Sequence, residues 1–434
     1  MNHKRFITII IIFLLFNQAF AGQELWNTTA GRKRIFNALV NIFKENYWDQ
    51  NYRDWDAWGK QFEDDALKAK TRASFDSVLR RMVAELNDEH SRWLGLVNTA
   101  DTKIHENPHL LNSKPGLGFS HQLLLKRGLV VERVYPETPA AAAGLHRGDL
   151  IVAVNDFDLS SASTNQVINQ IEAAIKSGDV RLGVVRTGQE KFIDIKPAAV
   201  DFDLVADLPQ AEMIDKTTAY IYLPSFSAND IAYKFHKLLA ELMEQGANAL
   251  VLDLRDNPGG GLNQLGLILG AFIDGEWAHA MRHKEVVWSP NYYRANGVGI
   301  NKLVTSEGVV VSSDSISNPI KYNGSVSVIV SRQNSSAGEI SALVLQDFGR
   351  AKIIGEKTNG NVEAIQIFDL PDGSAVYVAV ANLFGVDGTD FTTGIVPDVI
   401  VSDDLDELAR GYDAPLSEAL KQLKSLPFTP RKYF

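Results

Sequence analysis

Apolar residues recur at three- and four-residue spacing from Arg34 to about Leu94: Ile35, Leu39, Ile42, Phe43 and Tyr47, then Phe75, Val78, Leu79, Met82, Val83 and Leu86. That period gathers them on one stripe of a helix, so residues 22–97 predict a helical N-terminal region with Trp48, Trp55 and Trp58 in its core. Residues 98–114 are polar, contain Pro108 and predict a linker. Residues 115–199 change to short β runs with turns: Leu129-Val130-Val131-Glu132-Arg133-Val134, then Leu150 to Val154, a helix from Asn165 to Lys176, and Val180 to Val185. From 202 to 408 strands and helices alternate, as in an α/β core. Ala219–Leu223, Ala249–Leu254 and Val326–Val330 predict strands, Asp230–Glu244 and Ile340–Phe348 predict helices, and Asp372-Gly373 predicts a hairpin turn. Residues 409–434 are left as a C-terminal tail.

The first residues change the picture of where the chain works. Lys4 and Arg5 precede the apolar run Phe6 to Phe16, and Ala19-Phe20-Ala21 is the small-x-small pattern of a signal-peptidase site. The run is too short to span a bilayer comfortably. Residues 1–21 therefore predict a signal peptide, a mature chain beginning at Gly22 with no stable membrane span, and export to the periplasm or beyond.

Composition narrows the chemistry. With 43 Lys+Arg against 53 Asp+Glu in 434 residues the chain is acidic by ten charges, which argues against nucleic acid as a partner. It has no Cys, so thiol catalysis, disulfides and thiolate metal sites are excluded. His105-Glu106-Asn107-Pro108-His109 carries the letters of a zinc motif that works only on a helix. Pro108 disfavours that helix, and the expectation is no metal. His279 and His283 also stand four apart, but in a segment that predicts a strand.

Two segments are better candidates for chemistry. Asn257-Pro258-Gly259-Gly260-Gly261 lies between a predicted strand and a helix, where backbone N–H groups can stabilise an oxyanion. Ser336 stands at a predicted helix start, three residues before Glu339, where the helix dipole and the Ala337 N–H favour negative charge. Taken alone, Ser-x-x-Glu is more often a capping box.

Gly116-Leu117-Gly118-Phe119 followed by an extended strand, with Ala143-Gly144-Leu145-His146-Arg147-Gly148-Asp149 after it, resembles a PDZ domain. Such a glycine loop offers successive N–H groups to a terminal carboxylate, and the adjoining strand edge accepts a peptide. Together with that unit, five segments on either side of it stand in an order that resembles the S41 peptidases, the C-terminal processing and tricorn-like serine proteases. They are Leu86-Asn87-Asp88-Glu89-His90-Ser91, Leu252 to Gly260, Ser336-Ala337-Gly338-Glu339-Ile340, Gly355-Glu356-Lys357-Thr358-Asn359-Gly360 and Gly394-Ile395-Val396-Pro397-Asp398.

The resemblance implies an α/β and α+β multidomain chain: a helical N-terminal region, a PDZ-like β-rich domain and an α/β S41 protease core of ClpP/crotonase-like type. It implies an exported serine endopeptidase acting on proteins or peptides without metal or cofactor. Ser336 is then the nucleophile, and the Ala337 N–H with the N–H of Gly259 or Gly260 forms the oxyanion hole, with Glu339 in the same signature.

The base departs from the pattern. Processing members carry a Lys directly after the Gly of Thr-x-Gly, where this chain has Asn361, with one extra residue before Gln366. Tricorn-like members use a His from the segment matching His90; an imidazole titrates near neutrality unaided, whereas a Lys must be desolvated. The glutamate of those members, three residues before the Gly of Gly-x-x-Pro-Asp, is Phe391 here, which leaves Asp390 or Asp88 to orient the imidazole. The base is His90 or a displaced lysine such as Lys357. The alternative for the whole chain is a catalytically inactive S41-like peptide- or ligand-binding protein.

Overall fold

The computed structural model describes residues 25–88, 90–96, 114–124 and 126–425. Three helices come first, Thr29–Asn46, Trp55–Lys68 and Arg72–Ala84, and side chains cap each start: Thr28 on Gly31 N–H, Asp54 on Asp56 and Ala57, and Thr71 with Ser74 in a capping box. Trp55 and Trp58 meet edge to face at 5.4 Å. The bundle is not self-contained. Its buried Phe43, Phe75, Leu79 and Met82 share one cluster with Leu370, Val376, Val378 and Ala379 from far down the chain. The strand Arg92–Leu96 then pairs antiparallel with Ser374–Phe384, which stitches the residues after His90 into the same sheet.

The second unit is a five-strand antiparallel sheet in the order Phe119–Leu124, Gly128–Val134, Leu150–Val154, Val180–Arg186, Gln189–Ile195, with Phe157–Asp158 added on Leu150–Val154. The helix Thr164–Ser177 buries Val167 and Ala174 against it and ends at Gly178 in the left-handed region, φ 84°. Phe119–Leu124 is an edge strand, so its outer backbone groups are open to pairing.

The third unit has two sheets. Thr218–Tyr222, Ala249–Asp253, Ser325–Val330, Lys352–Gly355 and Val399–Ile400 run parallel, with Gln210–Met213 antiparallel at one edge. Leu250, Leu252 and Val328 face Phe235, Leu265 and Val344 of three covering helices. Val251 and Ile329 face the other way, onto Ala419. Strands buried on both faces read as unbroken apolar runs, which is why they are legible in sequence. The second sheet, in the order Arg92–Leu96, Ser374–Phe384, His279–Arg282, Glu285–Ala295, Val298–Thr305, Val310–Ser317, is antiparallel. A simple strand–helix alternation from 202 to 408 therefore needs correction: an antiparallel ribbon interrupts it, turning at Asn296 and Gly297 with φ of 50° and 76°.

A second correction falls at the C-terminus. Residues 409–434 are not simply a tail, because Ala414–Ser425 is a helix packed on the parallel sheet through Leu416, Ala419, Leu420 and Leu423. That spacing is a helical stripe. Just before it, Asp413 joins a buried ion network with Asp403, Arg147 of the second unit, and Arg255 and Asp253 at a strand end. Arg255 is fully buried, and these carboxylates hold it charged against the cost of burial. Beside this seam lies a cavity of about 730 Å³ whose walls include Arg133, Tyr135, Tyr222, Pro224 and Asp256. Among the described residues no helix is long and apolar enough to cross a membrane.

Candidate active site

The parallel strand Ser325–Val330 feeds the helix Ala337–Asp347 through a tight turn, and Ser336 is the residue where the turn becomes helix. Its backbone sits at φ 50°, ψ −128°, a conformation costing a non-glycine residue about 1–3 kcal/mol. The surroundings enforce it. Ser336 N–H donates to Asn361 O at 2.7 Å, Ser336 O accepts from Ile340 N–H at 2.9 Å, and Ser335 N–H donates to Asn257 O at 3.2 Å. The Ser336 hydroxyl makes no cap bond to the helix, so the capping-box reading of Ser336 and Glu339 does not apply.

Two glycines allow this turn to meet the Asn257–Gly261 loop. A Cβ on Gly259, whose φ is 102°, would stand 2.7 Å from Ser336 Cβ and 2.9 Å from Ala337 N. One on Gly338 would stand 2.4 Å from Asn257 O. The loop is fixed by Asn257, fully buried, which accepts from Gly259 N–H at 2.9 Å and donates to Leu223 O at 2.8 Å. Gly259 N–H is therefore occupied. Among the described residues the N–H groups of Gly260 and Ala337 have no acceptor.

Glu339 is fully buried, and both its oxygens are taken. Oε1 accepts from Gly360 N–H at 2.8 Å and from the Thr358 hydroxyl, and Oε2 accepts from Asn361 N–H at 2.8 Å. Burial raises its pKa, and these three donors work against that rise. The carboxylate thus anchors the turn whose Asn361 carbonyl grips Ser336.

His90 enters from the other side. Its Nδ1 lies 2.9 Å from Glu363 Oε2, an ion-pair distance, both side chains are largely buried, and neither atom makes a hydrogen bond. Glu363 is two residues beyond Asn361, so one short stretch of chain touches both Ser336 and His90. Neither sequence candidate for orienting the imidazole is bonded to its ring. Asp88 Oδ1 accepts the backbone N–H of His90 at 3.0 Å and that of Ser91, while Asp390 caps Thr392. Sequence reasoning missed Glu363; the signal that could have found it is the extra residue between Asn361 and Gln366. Lys357 is exposed, facing solvent rather than a dry pocket. Phe391 is fully buried in the core.

In the second unit, Leu117 O accepts from Ala140 N–H at 2.8 Å, and Gly118 O accepts from Tyr135 N–H at 2.9 Å. With both carbonyls turned inward, the Leu117 and Gly118 N–H groups have no partner among the described residues. Gly116 pairs with Ala198, and Phe119 begins the edge strand beside the loop. Residues 1–21, Glu89 and the segment His105 to His109 lie outside the described residues. His279 is on a strand with Nε2 against Glu276, and His283 follows that strand.

Comparison with known proteins agrees with this architecture. Residues 217–401 match peptidase family S41, residues 109–185 match the PDZ domain, and residues 29–84 match the tricorn protease C1 domain. A carboxyl-terminal-processing protease of Picosynechococcus sp. is 29% identical over 360 residues, covering 81% of this chain and 78% of its own. One from Synechocystis sp. is 26% identical over 389 residues, covering 86% and 81%. A solved structure of an S41 protease from Bacteroides fragilis shares the fold with a TM-score of 0.54 at 17% identity, over 89% of this chain and 97% of that one. Three family matches in series, over the three units the fold displays, make the chain similar along most of its length to the serine-type peptidases of family S41 that carry a PDZ domain.

Proposed function

We propose that this chain is an exported endopeptidase that cleaves proteins or peptides through an acyl-enzyme on Ser336. The supporting observation is the strained, uncapped Ser336 at a helix start, beside Gly259 and Gly260 and joined by residues 361–363 to His90. In this reading His90 Nε2 takes the Ser336 Oγ proton as Oγ bonds to the substrate carbonyl carbon, and Glu363 holds the opposite ring nitrogen. The carbonyl oxygen, now negative, accepts from the Gly260 and Ala337 N–H groups. Collapse breaks the C–N bond, His90 returns the proton to the leaving amine, and water later frees the acid by the same route. The Gly116–Phe119 loop holds a free C-terminus, in keeping with the carboxyl-terminal-processing names of the relatives.

A fluorophosphonate probe tests the centre: Ser336→Ala should lose labelling and turnover of unfolded casein, while Ser335→Ala keeps both. An unlabelled, inert wild type favours the binding-protein alternative. Peptides with free C-termini should bind more tightly than their amides, and equal binding leaves only strand addition. N-terminal sequencing of exported protein should begin at Gly22.

A further inference from the structure

The turn that carries His90 is gripped almost entirely from the helical unit. Asn87, at φ 54°, reverses the chain after the third helix, and Asp88 closes the turn by accepting two successive backbone N–H groups, His90 at 3.0 Å and Ser91, on Oδ1. The other oxygen, Oδ2, accepts the Tyr47 hydroxyl at 3.1 Å. Tyr47 is 1% exposed, and its ring is held by Phe43, Trp48, Tyr52 and Trp55. Burial, with Asp88 next to it, lifts the phenol well above its ordinary range, so it stays a donor at any working pH. On the far side Ser91 Oγ accepts Ala379 N–H at 3.1 Å, which ties the turn to the antiparallel sheet.

We propose that Tyr47 and Asp88 are positioning residues for the reaction: the Tyr47 hydroxyl fixes the Asp88 carboxylate, which fixes the His90 backbone, so that the imidazole meets Glu363 on one face and Ser336 on the other. The inference rests on His90 being the base. Neither residue touches the reacting atoms. What they set is where a rigid ring lies, and a displacement of about 1 Å at such a group costs about a hundredfold in rate. Without the hydroxyl, the Asp88 carboxylate is free to rotate, and its two backbone bonds to the turn loosen together.

The experiment is a double-mutant cycle on the mature chain, read by the rate of Ser336 labelling with a fluorophosphonate and by kcat and KM on fluorescent casein. Tyr47→Phe removes one oxygen from an otherwise unchanged buried ring, and should lower kcat and labelling rate about tenfold with KM within about twofold. Asp88→Asn, isosteric, should lose at least as much. In a His90→Ala background, Tyr47→Phe should cause no further loss, because the residue it positions is gone. A Tyr47→Phe protein within about twofold of wild type overturns the inference, and so does an equal proportional loss with and without His90. If His90→Ala alone labels and turns over at the wild-type rate, the base assignment itself fails, a result read from that single variant before the cycle is closed.

Discussion

The two halves of the proposed catalytic centre are built in opposite ways. The nucleophile half is local: Ser336, the Gly259–Gly260 loop and Asn257 follow neighbouring parallel strands, next to Leu254 and Ala337 of one buried cluster. The base half is assembled at a distance. His90 follows three helices, its turn is closed by Asp88 and Tyr47, and its partner Glu363 starts a strand of the antiparallel sheet. Steric exclusion at glycines sets the first half, and docking of one unit on another sets the second. A change in the first half should therefore act as a block, and a change in the second as a loosening.

The largest effect is expected at Gly259. Gly259→Ala drives a Cβ onto Ser336 and Ala337 at a φ that disfavours any side chain, so turnover should fall a hundredfold or more while peptide binding to the PDZ unit is unchanged. Retained turnover would mean that the nucleophile half is more pliant than its contacts suggest. Arg72→Ala probes the docking of the other half. Arg72 pairs at 2.6 Å with Asp372, which is fully buried in the hairpin turn, and also holds Asp76. Leaving that carboxylate unpaired should cost about 3 kcal/mol of stability by denaturant melt, and turnover should drop about tenfold. Unchanged turnover in a destabilised protein would separate docking from catalysis.

A smaller effect concerns acid. His236, buried beneath the parallel sheet, donates from Nε2 to Leu267 O at 3.0 Å and accepts Ile320 N–H on Nδ1 at 3.0 Å, so the neutral ring is fully satisfied. Burial lowers its pKa. With the folded value below an unfolded value of about 6.5, the unfolded state binds more protons just below that pH. Stability is full above about pH 6.5 and declines as pH falls, by no more than about 1.4 kcal/mol per pH unit from this group. Melts at pH 7.5 and 5.5 should show the decline, and His236→Gln should flatten it. The smallest effect is at Lys357: Lys357→Ala should leave turnover within about twofold, since the side chain faces solvent. A hundredfold loss there would move the base from His90 to the lysine.

The same contrast explains what the sequence disclosed. The meeting of Ser336 and Ala337 with Gly259 and Gly260 was legible because both segments are runs of consecutive residues between apolar strands and helices. Glu363 was not, because the face it shows depends on pairing with residues far away. The ladder between Glu363–Asp369 and Ser374–Phe384 shifts register between Ala364 and Ile365, which alters facing just beyond Glu363. Tyr47 looked like one more apolar residue of a helical stripe, and its hydroxyl gains meaning only once Asp88 is opposite. Asp372 likewise signalled a turn, yet its carboxylate is a buried anchor for Arg72. The Asn296-Gly297 hairpin and the Leu416, Ala419, Leu423 stripe were visible local signals, overshadowed by the strand–helix rhythm around them.

The ion network at the seam also has a consequence in time. Arg147 and Arg255 are placed early in the chain, Ser336 after them, and the carboxylates that neutralise both arginines, Asp403 and Asp413, come last. While the polypeptide is still being made, Arg255 has Asp253 beside it but Arg147 has neither of its carboxylate partners, and the helix Ala414–Ser425 has not yet covered Val251 and Ile329. The framework therefore closes only when residues up to the helix Ala414–Ser425 are present, and a chain cut before Asp403 would leave Arg147 without either carboxylate and Val251 and Ile329 uncovered.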